Sequence, residues 1–129
     1  MPYLQLDVNG RHPAAKKREL AARLASAYAE RMDADIRRIT VAVREAGEGG
    51  IWRMIDGEPA PVSMLMCDIR RGRTAEQRLA LAECLIAVCA DTLGLDPMRV
   101  NVEFTQHAGD EMVHPALGGT SPEWSPPGE

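Results

Sequence analysis

The sequence repeats itself at a constant offset of 61 residues, and this repeat restricts the folds open to the chain. Asp7-Val8 in the first half falls on Asp68-Ile69 in the second. The same offset relates Leu20 to Leu81, Leu24 to Leu85, Met32 to Leu93, and Ile39-Thr40-Val41 to Val100-Asn101-Val102. A match that holds through two strand-like segments and a helical one indicates a tandem duplication of one structural unit.

Each half has the periodicity of a β-α-β unit. Alternating apolar and polar residues predict strands over 3–8 and 38–43, and apolar residues at helical spacing predict a helix over 14–32 between them. The second half predicts strands over 62–69 and 99–104. Between these strands, Thr74-Ala-Glu-Gln77 is a capping box, so a helix begins there and runs to Leu93, where Gly94 ends it.

The duplication predicts an α/β fold, of the α+β sandwich type. A long crossover makes the two strands of a unit parallel, and two units form a four-stranded mixed sheet with both helices on one face. We interpret residues 1–129 as one domain with units at 2–56 and 62–113, a linker at 57–61 and a tail at 114–129. A short strand is also predicted over 51–55. The strand over 62–69 is too apolar for a sheet face in water, so we expect self-association.

Composition narrows the classes of partner. The chain has 129 residues and a net charge of −4, and its longest basic run is Lys16-Lys17-Arg18, which counts against nucleic acid. No apolar stretch approaches the roughly 18 residues of a membrane span, and no signal peptide opens the chain, so we expect a cytoplasmic protein. Three cysteines without CxxC spacing, Cys67, Cys84 and Cys89, are interpreted as buried free thiols and not as a metal site.

The N-terminal pair Met1-Pro2 carries a possible chemical function. Methionine before a small residue such as proline is normally removed, which leaves a secondary amine. A free α-amine titrates at about pH 7.7–8.0, and a desolvated or cation-flanked one titrates lower. Such an amine is able to carry a proton near neutral pH without a histidine. Many proteins begin in the same way without using the amine, so the pair has meaning only with other features.

The tail differs in composition from the rest of the chain. Prolines at 115, 122, 126 and 127 and glycines at 118, 119 and 128 predict that it forms no regular element. A frayed terminus is one interpretation. Trp124 favours the other, because a lone tryptophan in a polar tail usually docks against the protein.

These features together resemble the tautomerase superfamily. A proline at position 2 opens the first strand, two β-α-β units follow, and Asp68-Ile-Arg-Arg-Gly-Arg-Thr74 begins the second helix. This segment is similar to its counterpart in the cis-3-chloroacrylic acid dehalogenase group, with Arg70 and Arg73 on either side of a short Xaa-Gly step. The similarity continues through 102–104 and 111–113 into a Pro/Gly-rich tail with a tryptophan. It therefore covers nearly the whole chain.

The resemblance implies a fold, an assembly and a chemistry. Members are α/β sandwiches of two β-α-β units and are commonly trimeric when the units are fused, so a homotrimer is expected. The mature N-terminal proline, here Pro2, acts as general base or general acid. Arginines, here Arg70 and Arg73, hold the carboxylate of a small substrate. No cofactor is implied.

Three positions depart from the dehalogenase group. Tyr28 stands where that group has a histidine late in the first helix, and Glu103 replaces a tyrosine in the last strand. His114 falls where that group has the carboxylate that activates water. These changes count against hydrolytic dehalogenation. They leave the proline and both arginines, which suffice for proton transfer on a bound 2-oxo acid or enol.

Each candidate residue also has a purely structural interpretation. Arg70 and Arg73 offer planar forks that match a carboxylate, but they also fit a solvated basic turn. Arg11 is the first-unit counterpart of this basic turn and is a possible binder of the same substrate. Phe104 is either a wall of the pocket or part of the core. Tyr28, Glu103 and His114 are catalytic candidates as well. Tyr28 also fits core packing, Glu103 also fits a solvated strand position, and His114 also fits a surface position.

The sequence therefore predicts a cofactor-independent tautomerase or isomerase that acts on a small 2-oxo or enol carboxylate. One alternative is a dehalogenase, hydratase or decarboxylase acting on 3-substituted acrylates or 3-oxo acids. That reaction needs a water-activating group, which Glu103 or His114 would supply. The other alternative is a non-catalytic oligomeric binding protein that keeps only the fold.

Overall fold

The computed structural model describes residues 2–127, so Met1 and its predicted removal lie outside the described residues, as do Gly128 and Glu129. The elements in chain order are β1 (Tyr3–Asn9), α1 (Ala14–Met32), β2 (Thr40–Gly47), β3 (Trp52–Ile55), β4 (Glu58–Pro61), β5 (Ser63–Arg70), α2 (Ala75–Leu93), β6 (Val100–His107), β7 (Val113–His114) and β8 (Gly119–Thr120). Four short 3-10 turns occur at Ile36–Arg38, Pro97–Arg99, Gly109–Glu111 and Pro115–Leu117.

The main sheet has four strands in the order β2-β1-β5-β6. Strands β1 and β2 are parallel, and so are β5 and β6, because a helix crosses over between the strands of each pair. The two units meet at the centre of the sheet, where β1 and β5 run antiparallel and Leu6 pairs with Leu65. The predicted mixed sheet of two β-α-β units is therefore confirmed.

The hydrophobic core lies between this sheet and the two helices. Alternate residues of the central strands point towards the helices, since successive side chains of a strand lie on opposite faces. The buried set contains Leu4, Leu6, Val8, Leu65, Cys67 and Ile69 from the strands and Leu20, Leu24, Tyr28, Met32, Leu81, Leu85 and Cys89 from the helices. Both helices thus cover one face, and each fully buried aliphatic side chain contributes roughly 1.5–3 kcal/mol.

The 61-residue repeat extends to the ends of the helices. Both helices have 19 residues, and the left-handed residue that ends each one occupies the equivalent position, Asp33 after α1 and Gly94 after α2. The 3-10 turns that follow are capped by Asp35 and Asp96, whose side chains each accept a hydrogen bond from the backbone N–H two residues ahead. The starts of the helices differ: the predicted capping box at Thr74 is present, whereas α1 has no side-chain cap.

The opposite face of the sheet is more polar than expected. The apolar residues of 62–69 alternate, and their buried set faces the helices. On the other face β5 presents Met64, Met66 and Asp68, beside Gln5 of β1 and Glu103 of β6. The core therefore explains one half of this strand's apolar residues, while Met64 and Met66 are half-buried on the other face, and the self-association expected from that face stays a prediction.

Two segments are more regular than predicted. Instead of a plain linker, residues 57–61 contain β4, which pairs with β3 through a tight turn at Asp56-Gly57 with φ values of 52° and 83°. Asp-Gly at positive φ is the signature of a two-residue hairpin, and prolines are tolerated on such an isolated edge strand. In the tail, β7 pairs with β8, because Gly118 and Gly119 adopt positive φ and reverse the chain between them.

Two of the three cysteines are buried in the core, and all three are free thiols. Burial raises the pKa of Cys67 and of Cys89 to about 12. No helix within residues 2–127 has the length and apolarity needed to cross a membrane.

Candidate active site

One cavity of about 160 Å³ collects half of the sequence-predicted site residues. It lies where the C-terminal end of α1, the end of β5 and the tail meet. Its wall is formed by Pro2, Tyr28, Asp33, Ala34, Asp35, Arg38, Arg70, Arg73, Ser121 and Pro122. Four residues predicted from the sequence are therefore brought together: Pro2, Tyr28, Arg70 and Arg73.

Pro2 is buried and is held by the neighbouring strand. Its carbonyl oxygen accepts a hydrogen bond of 3.0 Å from the backbone N–H of Thr40, the first residue of β2. This bond places residue 2 at the parallel edge between β1 and β2, directly at the cavity. The backbone of residue 2 thus has a defined position in the sheet.

Tyr28 lies in the last turns of α1 and is 1% exposed. Burial raises the pKa of its phenol from 10.0 to about 12, although the nearby Arg73 and Arg70 charges act in the opposite direction. The hydroxyl is therefore protonated throughout the neutral and mildly alkaline range. In the cavity it is a neutral hydrogen-bond donor and not a base.

Arg70 ends β5 and reaches the tail. Its Nη1 donates a hydrogen bond of 2.7 Å to the carbonyl oxygen of Pro122. Desolvation by burial lowers the pKa of the guanidinium, which stays charged at neutral pH because an arginine starts from 12.5. A positive charge with further N–H donors thus faces the cavity.

Arg73 is the more deeply buried of the two predicted arginines, with 5% of its surface exposed. Its Nη2 donates to the carbonyl oxygen of Met32 at the end of α1. Its Nε is buried and has no hydrogen-bond partner among the described residues. An unpaired buried donor is costly, and the side chain that carries it lines the cavity.

Gly72 explains why the two arginines are separated by a glycine step. Its φ is +124°, which L side chains rarely adopt, and a Cβ there would lie 3.1 Å from Cε3 of Trp124. The missing side chain lets the tryptophan reach Arg73, whose guanidinium carbon lies 4.7 Å from the ring centroid. The docking expected for Trp124 therefore occurs at the cavity itself.

Sequence reasoning missed Arg38 and the two aspartates of the cavity wall. Arg38 follows α1 in the first 3-10 turn, and its Nη1 and Nη2 donate to Ser121 Oγ at 3.2 Å and to the Leu117 carbonyl at 2.9 Å. The repeat offered a signal, because Arg38 has Arg99 as its counterpart. Asp35 binds Arg37 instead of the cavity arginines, and this bond lowers its pKa to about 2.

Four predicted residues do not line this cavity within one chain. Arg11 is exposed beside Gly47 at a separate groove, and Glu103 is exposed on the outer face of β6. Phe104 packs against the core. His114 lies in β7, and its buried Nδ1 has no partner within residues 2–127. Roles for these residues stay predictions.

The duplicate of the cavity in the second unit lacks its chemistry. The position equivalent to Pro2 is Ser63, whose buried hydroxyl accepts the Asn9 N–H at 3.1 Å. Cys89 replaces Tyr28, and Asn9 and His12 stand at the counterparts of Arg70 and Arg73. The repeat therefore preserves the fold in both units, but it keeps the proline and the arginine pair at one end only.

Comparison with known proteins agrees with this architecture. Pt0534, solved after inactivation by 2-oxo-3-pentynoate, is 27% identical with a TM-score of 0.76 over 92% of this chain and 94% of that one. N1, a member of the cis-3-chloroacrylic acid dehalogenase family, is 25% identical with a TM-score of 0.78 over 94% and 84%. Native fused 4-OT is 25% identical with a TM-score of 0.74 over 92% and 94%.

These similar structures are members of the tautomerase superfamily, and the chain has their fold over 92–94% of its length. No protein-family model and no curated protein sequence matches it. The resemblance drawn from Pro2 and the Arg70–Arg73 step is thereby confirmed at the level of the superfamily. Its structural neighbours are enzymes that include dehalogenase-family and 4-OT proteins, so superfamily membership indicates an enzyme without specifying the reaction.

Proposed function

We propose that this tautomerase-superfamily protein is a cofactor-independent isomerase that moves a proton within a small 2-oxo or enol carboxylate. The observation that carries the proposal is the position of Pro2, buried in the wall of the same cavity as Arg70 and Arg73. A base must lie within reach of its substrate, and an anion-binding pair beside it supplies the orientation.

In the proposed reaction the Pro2 nitrogen, freed by removal of Met1, takes the proton from an enol hydroxyl or from a carbon next to a carbonyl. It returns the proton to another carbon of the same molecule, so substrate and product have the same atoms. Burial and the three surrounding guanidiniums disfavour the protonated amine, which keeps it available as a base.

The remaining cavity residues stabilise the charge that develops. Arg70 and the unpaired Nε of Arg73 bind the carboxylate and the dienolate-like oxygen. The neutral phenol of Tyr28 donates a hydrogen bond to the carbonyl oxygen, a role that its raised pKa preserves. The cavity of about 160 Å³ suits a substrate of only a few heavy atoms or one end of a longer acid.

The first test is the ketonisation of phenylenolpyruvate or 2-hydroxymuconate by the wild type and by Pro2→Ala, after intact mass has established that Met1 is absent. We expect the variant to lose most of the activity, because general base catalysis typically contributes about 10²–10⁴-fold. Undiminished turnover by the variant would refute the proposal, as would a purified protein that retains Met1.

A covalent probe gives an independent test. The similar protein Pt0534 was inactivated by 2-oxo-3-pentynoate, an acetylenic 2-oxo acid. We expect the same compound to add to the nucleophilic nitrogen of Pro2 in this protein, and peptide mapping to locate the adduct there. Protein that retains Met1 serves as the control, because its Pro2 nitrogen is part of an amide and is expected to form no adduct.

A second candidate function is hydration or decarboxylation of an unsaturated or 3-oxo acid. It is favoured by carboxylates of the cavity wall, of which Asp33 is exposed and able to reach water, whereas Asp35 is engaged by Arg37. A member of a dehalogenase family is also among the similar structures. Release of halide from 3-chloroacrylate or of carbon dioxide from a 3-oxo acid distinguishes this reaction from isomerisation.

We also propose that the protein assembles as a homotrimer. Fused 4-OT proteins with the same fold form symmetric and asymmetric trimers. Arg11 and Glu103 are exposed, so we propose that in a trimer they serve the cavity of a neighbouring copy. Native mass spectrometry gives the subunit number directly, and a monomer would exclude such shared sites.

A further inference from the structure

One segment of the tail binds all three arginines of the cavity. Residues 117–124, called the strap below, place the Leu117 carbonyl and Ser121 Oγ on Arg38 and the Pro122 carbonyl on Arg70. The Trp124 ring covers Arg73 at 4.7 Å. The groups that would hold a substrate carboxylate therefore contact the strap itself.

The strap has a defined anchor outside the cavity. Glu123 forms two hydrogen bonds with the Arg71 side chain, at 3.1 and 3.2 Å, and accepts a third from the Gly109 N–H at 3.0 Å. The Gly109 and Arg71 contacts hold the pKa of the Glu123 carboxyl below its ordinary value. Glu123 is therefore charged at neutral pH. It directly follows Pro122, whose carbonyl accepts the hydrogen bond from Arg70.

Pro122 and the substrate compete for the same donor. The Pro122 carbonyl is neutral and makes a single bond to Arg70, whereas a carboxylate brings the opposite charge and is able to bind the planar guanidinium through two parallel bonds. Pro122 lies directly before Glu123, so its carbonyl leaves Arg70 only with movement at the anchor. The hydrogen bonds of Glu123 to Arg71 and Gly109 therefore oppose substrate binding and lower the apparent affinity.

We propose that the strap is displaced from Arg70 by the substrate carboxylate, and that Glu123, through Arg71 and Gly109, is the positioning residue that sets how readily this happens. The proposal rests on the proposed function for the identity of the site. When only the state with the strap displaced binds the ligand, the apparent affinity is the intrinsic affinity multiplied by the fraction of molecules in that state. Weakening the anchor therefore tightens apparent binding without touching the chemistry.

The kinetic test compares Glu123→Gln with the wild type, using phenylenolpyruvate. We expect KM to fall about two- to fivefold, the range of an exposed ion pair, with kcat unchanged. Asp110→Asn is the matched control, because it removes a negative charge near Arg71 without a strap contact, and it leaves KM unchanged. A higher KM for Glu123→Gln, or an equal fall in the control, would overturn the proposal.

A second test needs no turnover and therefore separates the strap from the proposed function. In a Trp52→Phe background, Trp124 is the one tryptophan left in the sequence. Titration with pyruvate is expected to give a saturable shift of its emission, because Trp124 lies two residues after Pro122 and its surroundings change when the Pro122 carbonyl leaves Arg70. Pyruvamide, which lacks the charge, gives none, and Arg70→Gln abolishes the shift. Emission unchanged by pyruvate overturns displacement, even if Pro2 proves to be the base.

Discussion

The guanidinium carbon of Arg73 lies 4.7 Å from the centroid of the Trp124 ring, although 51 positions separate the two residues in the sequence. Gly72 makes this contact possible, since any Cβ there would crowd the ring. The face of Arg73 is thus packed against the tail, while its Nε stays without a partner among the described residues. An aromatic residue in the tail thereby orients an anion-binding group of the cavity.

Replacing Trp124 by alanine is expected to lower kcat/KM by about two- to thirtyfold, because cation–π contacts are worth about 0.5–2 kcal/mol. Trp124→Phe keeps a ring face over the guanidinium and is expected to retain most of the activity. Steady-state kinetics of the two variants check this. Equal losses in both would show that bulk, and not the ring face, positions Arg73.

Arg70→Lys is expected to raise KM about 10- to 100-fold for a carboxylate substrate with a smaller effect on kcat, since hydrogen bonds to charged groups contribute about 1.5–3 kcal/mol. Lysine keeps the charge but loses the planar fork that binds two oxygens. Arg18→Lys on the exposed surface of α1 serves as the control. Unchanged KM for Arg70→Lys would mean that charge alone is recognised.

The stability of the protein is expected to fall above pH 9. The folded-state pKa values of Cys67 and Cys89 are raised from 9.0 to about 12, so both thiols ionise first in the unfolded chain. Their stabilising contribution is complete below pH 9 and is lost as the pH rises towards 12, at up to about 1.4 kcal/mol per pH unit for each group.

Tyr28 adds to this loss between pH 10 and about 12, because its folded-state pKa is also raised. Urea unfolding at pH 8, 9, 10 and 11 measures the trend. Tyr28→Phe is expected to be less sensitive to pH above 10 than the wild type, and a parallel pH dependence in the two proteins would contradict the assignment.

Gly109→Ala is expected to displace the tail from the cavity. An added Cβ would lie 2.4 Å from the backbone oxygen of Ser121, so one of the two segments must move. We expect a loss of about 1–3 kcal/mol in the free energy of unfolding, the usual cost of overpacking. Hydrogen exchange at the Ser121 amide, which donates to the Met112 carbonyl at 3.0 Å, should become faster. Asp110→Ala, in the same turn but exposed, is the control.

Local patterns in the sequence were enough to predict the two long helices and the strands of the main sheet. The helix expected over 14–32 has those limits, and the second begins at the predicted capping box, because periodicity and end-capping are properties of neighbouring residues. The constant offset of 61 residues was enough to predict two equal β-α-β units and thus the parallel pairs of the sheet. The placement of Pro2 and Arg70 at strand ends, and of Arg73 just before the second helix, followed from the same pattern.

Contacts between distant segments required the folded chain. Arg38 joins the cavity because Leu117 and Ser121, about 80 positions away, accept its hydrogen bonds, and no local pattern encodes such a meeting. The sequence of β5 alone does not specify which of its faces the helices cover, so it did not show which apolar side chains point into the core. Closure of the cavity by the strap likewise depends on backbone carbonyls, whose positions carry no side-chain signal in the sequence. The repeat therefore determined the architecture through local physics, while tertiary packing of the tail determined which arginines share one site and what holds them there.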